Sequence, residues 1–169
     1  MSGLQHIVVM GVSGAGKSTT GAALAQHLGW PFVEGDSFHP ASNVQKMAAG
    51  HPLDDADREP WLKALAVEIG RFEALGQCAI IGCSSLKRRY RDILRQGAPR
   101  VRFLHVHGSE ALLTERLGNR AGHFFPPQLL ASQLATLEPL QPDEDGVVVD
   151  LALTVDEQVK QALRLLGLE

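Results

Sequence analysis

The stretch HIVVMGVSGAGKSTTG occupies residues 6–21. An apolar, β-branched run, His6–Met10, leads straight into Gly11, Gly16, Lys17 and Ser18 at the spacing G-x-x-x-x-G-K-[ST]. Each residue type answers a physical need. Glycines let the backbone bend so that consecutive N–H groups point inward at a phosphate. A helix that starts at Lys17 adds its positive N-terminal end. Lys17 bridges a β- and a γ-phosphate as a flexible point charge, and Ser18 offers a hydroxyl to Mg²⁺. Residues 11–19 (Gly11, Val12, Ser13, Gly14, Ala15, Gly16, Lys17, Ser18 and Thr19) are therefore the expected nucleotide cradle. The motif predicts a bound nucleoside triphosphate and leaves the destination of the phosphoryl group open.

Around it, apolar strand-like runs alternate with helical patterns. HIVVM is the first strand, and a helix is expected over Lys17–Leu28 with Gly29 as its cap. PFVEG is a short second strand, and Pro40 takes the first position of a helix ending near Gly50. An acidic lead-in at residues 54–57 precedes a helix whose Leu62, Leu65, Ala66, Ile69 and Phe72 form one apolar face, closed by Gly76. CAIIGC, VRFLHV and VVVDL complete the strands. Helices are expected over 85–96, from about Glu110, and after Thr154, where Thr154 and Glu157 make a capping box. Strands that alternate with helices imply a parallel sheet covered on both faces, a three-layer α/β/α fold with five strands. In such a sheet ligands gather at the carboxyl ends of the strands, here the loops after Met10, Glu34 and Cys83. Two glycines and two prolines break the helical pattern at 118–128, which reads as a mobile lid over roughly 118–127.

Composition narrows the class. The 169 residues fit one domain, 1–169, with an ordinary 44% hydrophobic and 21% charged balance. A net charge of −3 argues against nucleic-acid or membrane-surface binding. No charged-then-apolar leader opens the sequence and no apolar run reaches the ~18 residues of a membrane span. Cys78 and Cys83 fall on opposite faces of one strand, so they read as two buried, unbridged thiols in a reducing cytoplasm.

Water is disfavoured as the acceptor. There is no N-K-x-D guanine reader, and CAIIGCSS ends in serines where a hydrolytic motor carries an acid. The second strand leads into VEGDSFHP. On an extended segment Glu34 and Asp36 share one side, one to receive a hydroxyl proton and the other to support Mg²⁺ through water. The alternative is an acidic turn that caps the helix at Pro40. Lys46, Arg58 and Lys87 are candidates to hold an anionic acceptor. Lys87, Arg91 and Arg95, four residues apart, form either a contact face or a solvated helix face, and Lys87 lies nearest the strand end. Arg116 is placed to lie on an adenine ring, and Arg120 and His123 sit on the lid, where an arginine neutralises transferring phosphoryl charge and closure excludes water. His123, Phe124 and Phe125 serve equally as lid packing, and His39 reads as either a helix-start packing residue or an acceptor contact.

The combination of MGVSGAGKS, EGDSFHPASNVQKMAAGHPLDDADREPWL, CSSLKRRYRDILR and RAGHFF resembles gluconate kinases of the small P-loop type, related in fold to shikimate and adenylate kinases. The resemblance spans most of residues 10–125, and the second segment carries most of its specificity. It implies a P-loop phosphotransferase with a five-stranded parallel sheet and a closing lid, and often a homodimer. It further implies ATP-dependent phosphorylation of D-gluconate at the 6-hydroxyl, with Mg²⁺. By the same likeness Asp36 matches the acid that meets the acceptor hydroxyl and Arg120 matches the lid, while the metal role of Ser18 and Glu34 follows from the motif and from the residues' own chemistry. Two rival readings are a kinase of another polyhydroxy acid such as shikimate, and a nucleotide-binding module without turnover.

Overall fold

The computed structural model describes residues 3–12, 14–118 and 127–169, and everything below concerns those residues. Five strands form a single parallel sheet: β1 His6–Met10, β2 Phe32–Glu34, β3 Ala79–Gly82, β4 Val101–His107 and β5 Gly146–Asp150, in the order β2-β3-β1-β4-β5. In the central strand β1 all five residues are buried, as required when helices cover both faces. Its register places His6 beside Ala79 and Val101, and Met10 beside His105. The carboxyl ends of β2, β3, β1 and β4 therefore share one edge.

Helices α1 (Lys17–Leu28), α2 (Ala41–Ala48), α3 (Asp55–Ala74), α4 (Arg88–Arg95), α5 (Glu110–Gly118), α6 (Pro127–Thr136) and α7 (Val155–Leu166) complete the α/β/α arrangement. The expected apolar face of α3 is real: Leu62, Leu65, Ile69 and Phe72 are buried, joined by Trp61. Helices α3 and α7 start with reciprocal capping boxes, Asp54 with Asp57 and Thr154 with Glu157. Thr20 on α1 donates to Gln158 on α7 at 2.5 Å, fastening two helices through a buried polar contact.

Several expectations are corrected. Pro40 precedes the first helical position: it is the N-cap of α2, and its carbonyl receives the N–H groups of Asn43 and Val44. Helix α4 begins at Arg88, three residues later than expected, because Ser85 takes a left-handed φ of +50° that a helix cannot contain. Lys87 is thus the N-cap of α4 and lies outside its helical face. Glu34 and Asp36 share no extended segment, since a 3-10 turn, Gly35–Phe38, starts directly after Glu34. The thiols are free, as expected, yet Cys78 is only half-buried while Cys83 is fully buried. The expected lid, residues 118–127, lies almost wholly outside the described residues.

The basic run on α4 is no solvated face either. Arg91 is fully buried and pairs with Glu144 through two parallel bonds, Nε to Oε1 at 2.7 Å and Nη2 to Oε2 at 2.9 Å. Arg95 adds a further bond to Glu144 Oε1. The remaining Arg91 protons go to carbonyls of Ser85 and Glu138, both at 3.0 Å, and of Pro139 at 3.3 Å. One guanidinium thus joins α4, the loop after β3 and the segment before β5.

Burial pushes the Glu144 carboxyl up, but hydrogen bonds from Arg91, Arg95 and the Gln141 N–H outweigh it and hold the group down to about 2, against an ordinary 4.5. A carboxyl depressed on folding contributes its stabilisation above its unfolded value and loses it as pH falls toward the folded one. Urea unfolding is therefore expected to show stability declining between pH 4.5 and 2. Glu144→Gln, which leaves Arg91 buried without a counter-charge, should cost roughly 3–5 kcal/mol at pH 7 and flatten that acid slope. An unchanged slope in the variant would remove Glu144 from the acid transition.

Candidate functional site

The loop between β1 and α1 has the backbone its sequence demands. Gly11, Gly14 and Gly16 all carry left-handed φ values, and Gly16 is the left-handed N-cap of α1. The first N–H groups of α1 therefore face the space above β1. Lys17 Nζ donates to the Val12 carbonyl at 3.3 Å, folding the side chain back over the loop. The N–H of Gly11 donates to Ser84 O at 3.2 Å, so the loop is pinned to the end of β3. Thr19 is exposed and faces away from the core. Helix α5 lies against this loop: a side chain at Gly14 would come within 2.8 Å of Leu117 Cγ. Arg116 is half-buried on the same helix.

Beside the loop, Ser18 Oγ donates to the Glu34 carboxylate at the end of β2. The sequence named these two as metal-supporting residues, and the fold brings them into direct contact. Among the described residues no group of three or more His, Cys, Asp or Glu side chains could hold a metal. A hydroxyl and one carboxylate suit a hard cation that keeps water and phosphate oxygens as its other ligands.

Asp36 sits on the 3-10 turn one step beyond, with 69% of its side chain exposed. The turn is pressed against the sheet at Gly35, where a Cβ would fall 2.1 Å from Gly82 O. On its inner side the indole of Trp61 donates to Gly35 O at 2.8 Å and stacks on His39, ring centroids 3.9 Å apart. Burial lowers the His39 pKa; Asp36 opposes that shift and Arg58 adds to it.

The basic candidates come with partners. Arg58 is buried and donates to Tyr90 Oη at 3.0 Å. Tyr90 in turn donates to Asp55, which also receives Lys87 at 3.0 Å and Arg89 at 2.9 Å. The hydrogen bonds from Tyr90 and Lys87 hold the Asp55 carboxyl below its ordinary range. Lys46 pairs with Asp57 at 2.6 Å and its pKa rises through that bond. Arg58 and Lys87 thus converge on one cluster, whereas Lys46 belongs to the capping box of α3. Sequence reasoning missed Asp55, Tyr90, Trp61 and Asn43. The acidic run DDAD was its available signal, since two of its carboxylates end beside the predicted lysines.

The end of β3 is tied to the end of β1 and to the phosphate loop, with the Cys83 N–H on Val9 O at 3.0 Å and the Gly11 N–H on Ser84 O at 3.2 Å. Burial pushes the Cys83 thiol up to about 11, and the same sulfur feels both the Asp36 carboxylate and the Lys17 ammonium. Ser13, Arg120 and His123, together with Phe124 and Phe125, lie outside the described residues.

A family model described as AAA domain matches residues 7–140. A gluconokinase of Gluconobacter oxydans is 45% identical over 160 residues, covering 95% of this chain and 90% of that protein. The crystal structure of a sugar kinase from Janibacter superposes with a TM-score of 0.94 at 47% identity, covering 98% of this chain and 95% of the other. A gluconokinase from Sinorhizobium meliloti gives 0.87 at 48% identity, covering 96% and 91%.

Gly35 offers a test of the turn. Gly35→Ala must displace it from the β3 carbonyl, at an expected stability cost of about 1–3 kcal/mol. Turnover should fall by roughly tenfold or more, because Asp36 moves with the turn, while nucleotide affinity measured by calorimetry stays near wild type. Unaltered turnover would show that the turn does not serve the reaction.

Proposed function

This chain belongs to the AAA domain family and, more narrowly, to the gluconokinases, and we propose that it transfers the γ-phosphoryl group of ATP to the 6-hydroxyl of D-gluconate. The products are 6-phosphogluconate and ADP. The observation that carries the reading is the contact of Ser18, at the end of the phosphate-loop motif, with Glu34, the residue directly before the turn that bears Asp36, with Arg58 and Lys87 joined in one cluster through Tyr90 and Asp55.

In this reading residues 11–19 cradle the triphosphate, and Arg116 flanks the adenine. Lys17 offsets the negative charge that develops on the transferring phosphoryl. Asp36 positions the acceptor hydroxyl and takes its proton as oxygen attacks phosphorus and the bond to the β-phosphate oxygen breaks. Arg58 and Lys87 receive the acceptor's carboxylate and hydroxyls, with His39, Lys46 and His123 as further candidates. Ser18 and Glu34 would hold Mg²⁺, which supplies charge neutralisation on the phosphates. Arg120 and the lid over 118–127 close on the bound substrates and keep water from competing.

The chain acts as a single domain on a small carbohydrate acid, without nucleic-acid partners, in the cytoplasm and as a homodimer. The net charge of −3 supports the absence of nucleic-acid partners, and the resemblance to gluconate kinases supports the homodimer; among the described residues no helix is long and apolar enough to cross a membrane.

A coupled ADP-release assay across a panel of acids is the primary test. Gluconate is expected to give the highest kcat/KM, and a preference for shikimate or another acid would overturn the substrate assignment. Asp36→Asn should retain ATP affinity while kcat falls about 10²–10⁴-fold. Full turnover in that variant would exclude Asp36 from proton transfer.

A further inference from the structure

Asp36 is an exposed carboxylate on a short turn, and nothing in its own backbone fixes where its oxygens point. The neighbouring side chains do. Asn43 is buried, and its Nδ2 donates to the Asp57 carbonyl at 2.8 Å. A carbonyl only accepts, so the Asn43 amide has a single orientation. The same NH₂ group lies 3.2 Å from His39 Nδ1. Nδ1 must therefore present its lone pair, and a neutral His39 carries its proton on Nε2. That nitrogen faces Asp36 Oδ1 at 3.9 Å.

The ring plane is fixed as well. Trp61 stacks on His39 with an interplanar angle of 19°, and its indole N–H is spent on Gly35 O. One side chain thus grips the residues on both sides of Asp36. The His39 ring also stays uncharged. Protonating Nδ1 would set two donors against each other at Asn43, and burial, with a smaller push from Arg58, opposes the cation more than the Asp36 carboxylate favours it.

We propose that His39, locked by Asn43 and Trp61 as its Nε2–H tautomer, is the positioning residue that orients the Asp36 carboxylate for the acceptor hydroxyl. At 3.9 Å the pair is too far apart for a hydrogen bond, and a small rotation of the exposed carboxylate closes the gap once the acceptor binds. A neutral donor on one oxygen fixes the other toward the acceptor. It also depresses the carboxylate's basicity less than a cation would. The inference rests on the reading of Asp36 as the acceptor-side base, and it moves His39 from contacting the acceptor to acting through Asp36.

The test pairs His39→Phe, which keeps the stack and removes the N–H, with His39→Gln, which returns an N–H near the Nε2 position. His39→Phe should lower kcat about tenfold with KM for ATP unchanged, and His39→Gln should recover most of it. In an Asp36→Asn background, His39→Phe should cause no further loss. Imidazole ¹⁵N spectra of the wild type should show a protonated Nε2 and a bare Nδ1, and Asn43→Leu should mix the tautomers. Equal losses in both backgrounds, no advantage of Gln over Phe, or a protonated Nδ1 would each overturn the inference. Full activity of Asp36→Asn alone would instead overturn the reading of Asp36 beneath it, and the tautomer spectrum would still report whether the ring is locked.

Discussion

A guanidinium fully withdrawn from water, that of Arg91, sets the geometry on which the candidate site depends. Every proton it directs goes to an oxygen that cannot move far: the Glu144 carboxylate, or the carbonyls of Ser85, Glu138 and Pro139. Ser85 is held there in a left-handed conformation unusual for a residue with a side chain. Its neighbour Ser84 accepts the N–H of Gly11. The phosphate loop is therefore anchored, through one peptide, to an ion pair on the far side of α4. Burying such a pair costs desolvation that a hydrophobic contact would avoid. The return is a loop whose backbone has one arrangement, and the same loop leads to Lys87.

The first turn of α3 organises the other half. Asp54 and Asp57 cap the helix reciprocally, Asp57 also holds Lys46, and Asp55 gathers Lys87, Arg89 and Tyr90. Arg58 and Trp61 follow on the same helix and reach the cluster and the Asp36 turn respectively. A single helix start thus supplies capping, charge pairing and aromatic support. That concentration explains why the acidic run lies where it does: carboxylates favoured by the helix dipole also neutralise Lys46, Lys87 and Arg89.

Much of this was legible in the sequence, for reasons specific to each residue. The glycine spacing of 11–18 has one backbone solution, and the apolar runs have one sheet class, so phosphate loop and strand set followed from local pattern. Ser18 was legible because it completes that motif, and Glu34 because it ends the second strand, whereas the contact between them was not. Arg91 was not: spacing of four places a charge on a helix face but says nothing of what lies across from it, and Glu144 is 53 residues away. The start of α4 failed for a related reason, since a long-range ion pair holds Ser85 in a conformation that local propensity disfavours. Glu34 and Asp36 looked like neighbours on a strand until the close approach of Gly35 to Gly82 forced a turn between them. Trp61 reads as an ordinary core residue in any apolar periodicity, and only its indole N–H, aimed at Gly35 O, distinguishes it.

Cys83 follows directly on β3, one residue before the Ser84 carbonyl that anchors the phosphate loop, where an exposed thiol would be a liability. Its burial raises the thiol to about 11, so near neutral pH almost none of it is thiolate, the form that peroxides and electrophiles attack. Cys78, half-buried at the other end of the strand, is the more accessible sulfur. Oxidant reaching this protein therefore meets its accessible thiol far from the chemistry. The strand that joins the two sulfurs gives the site a measure of redox insulation that no disulfide or metal provides.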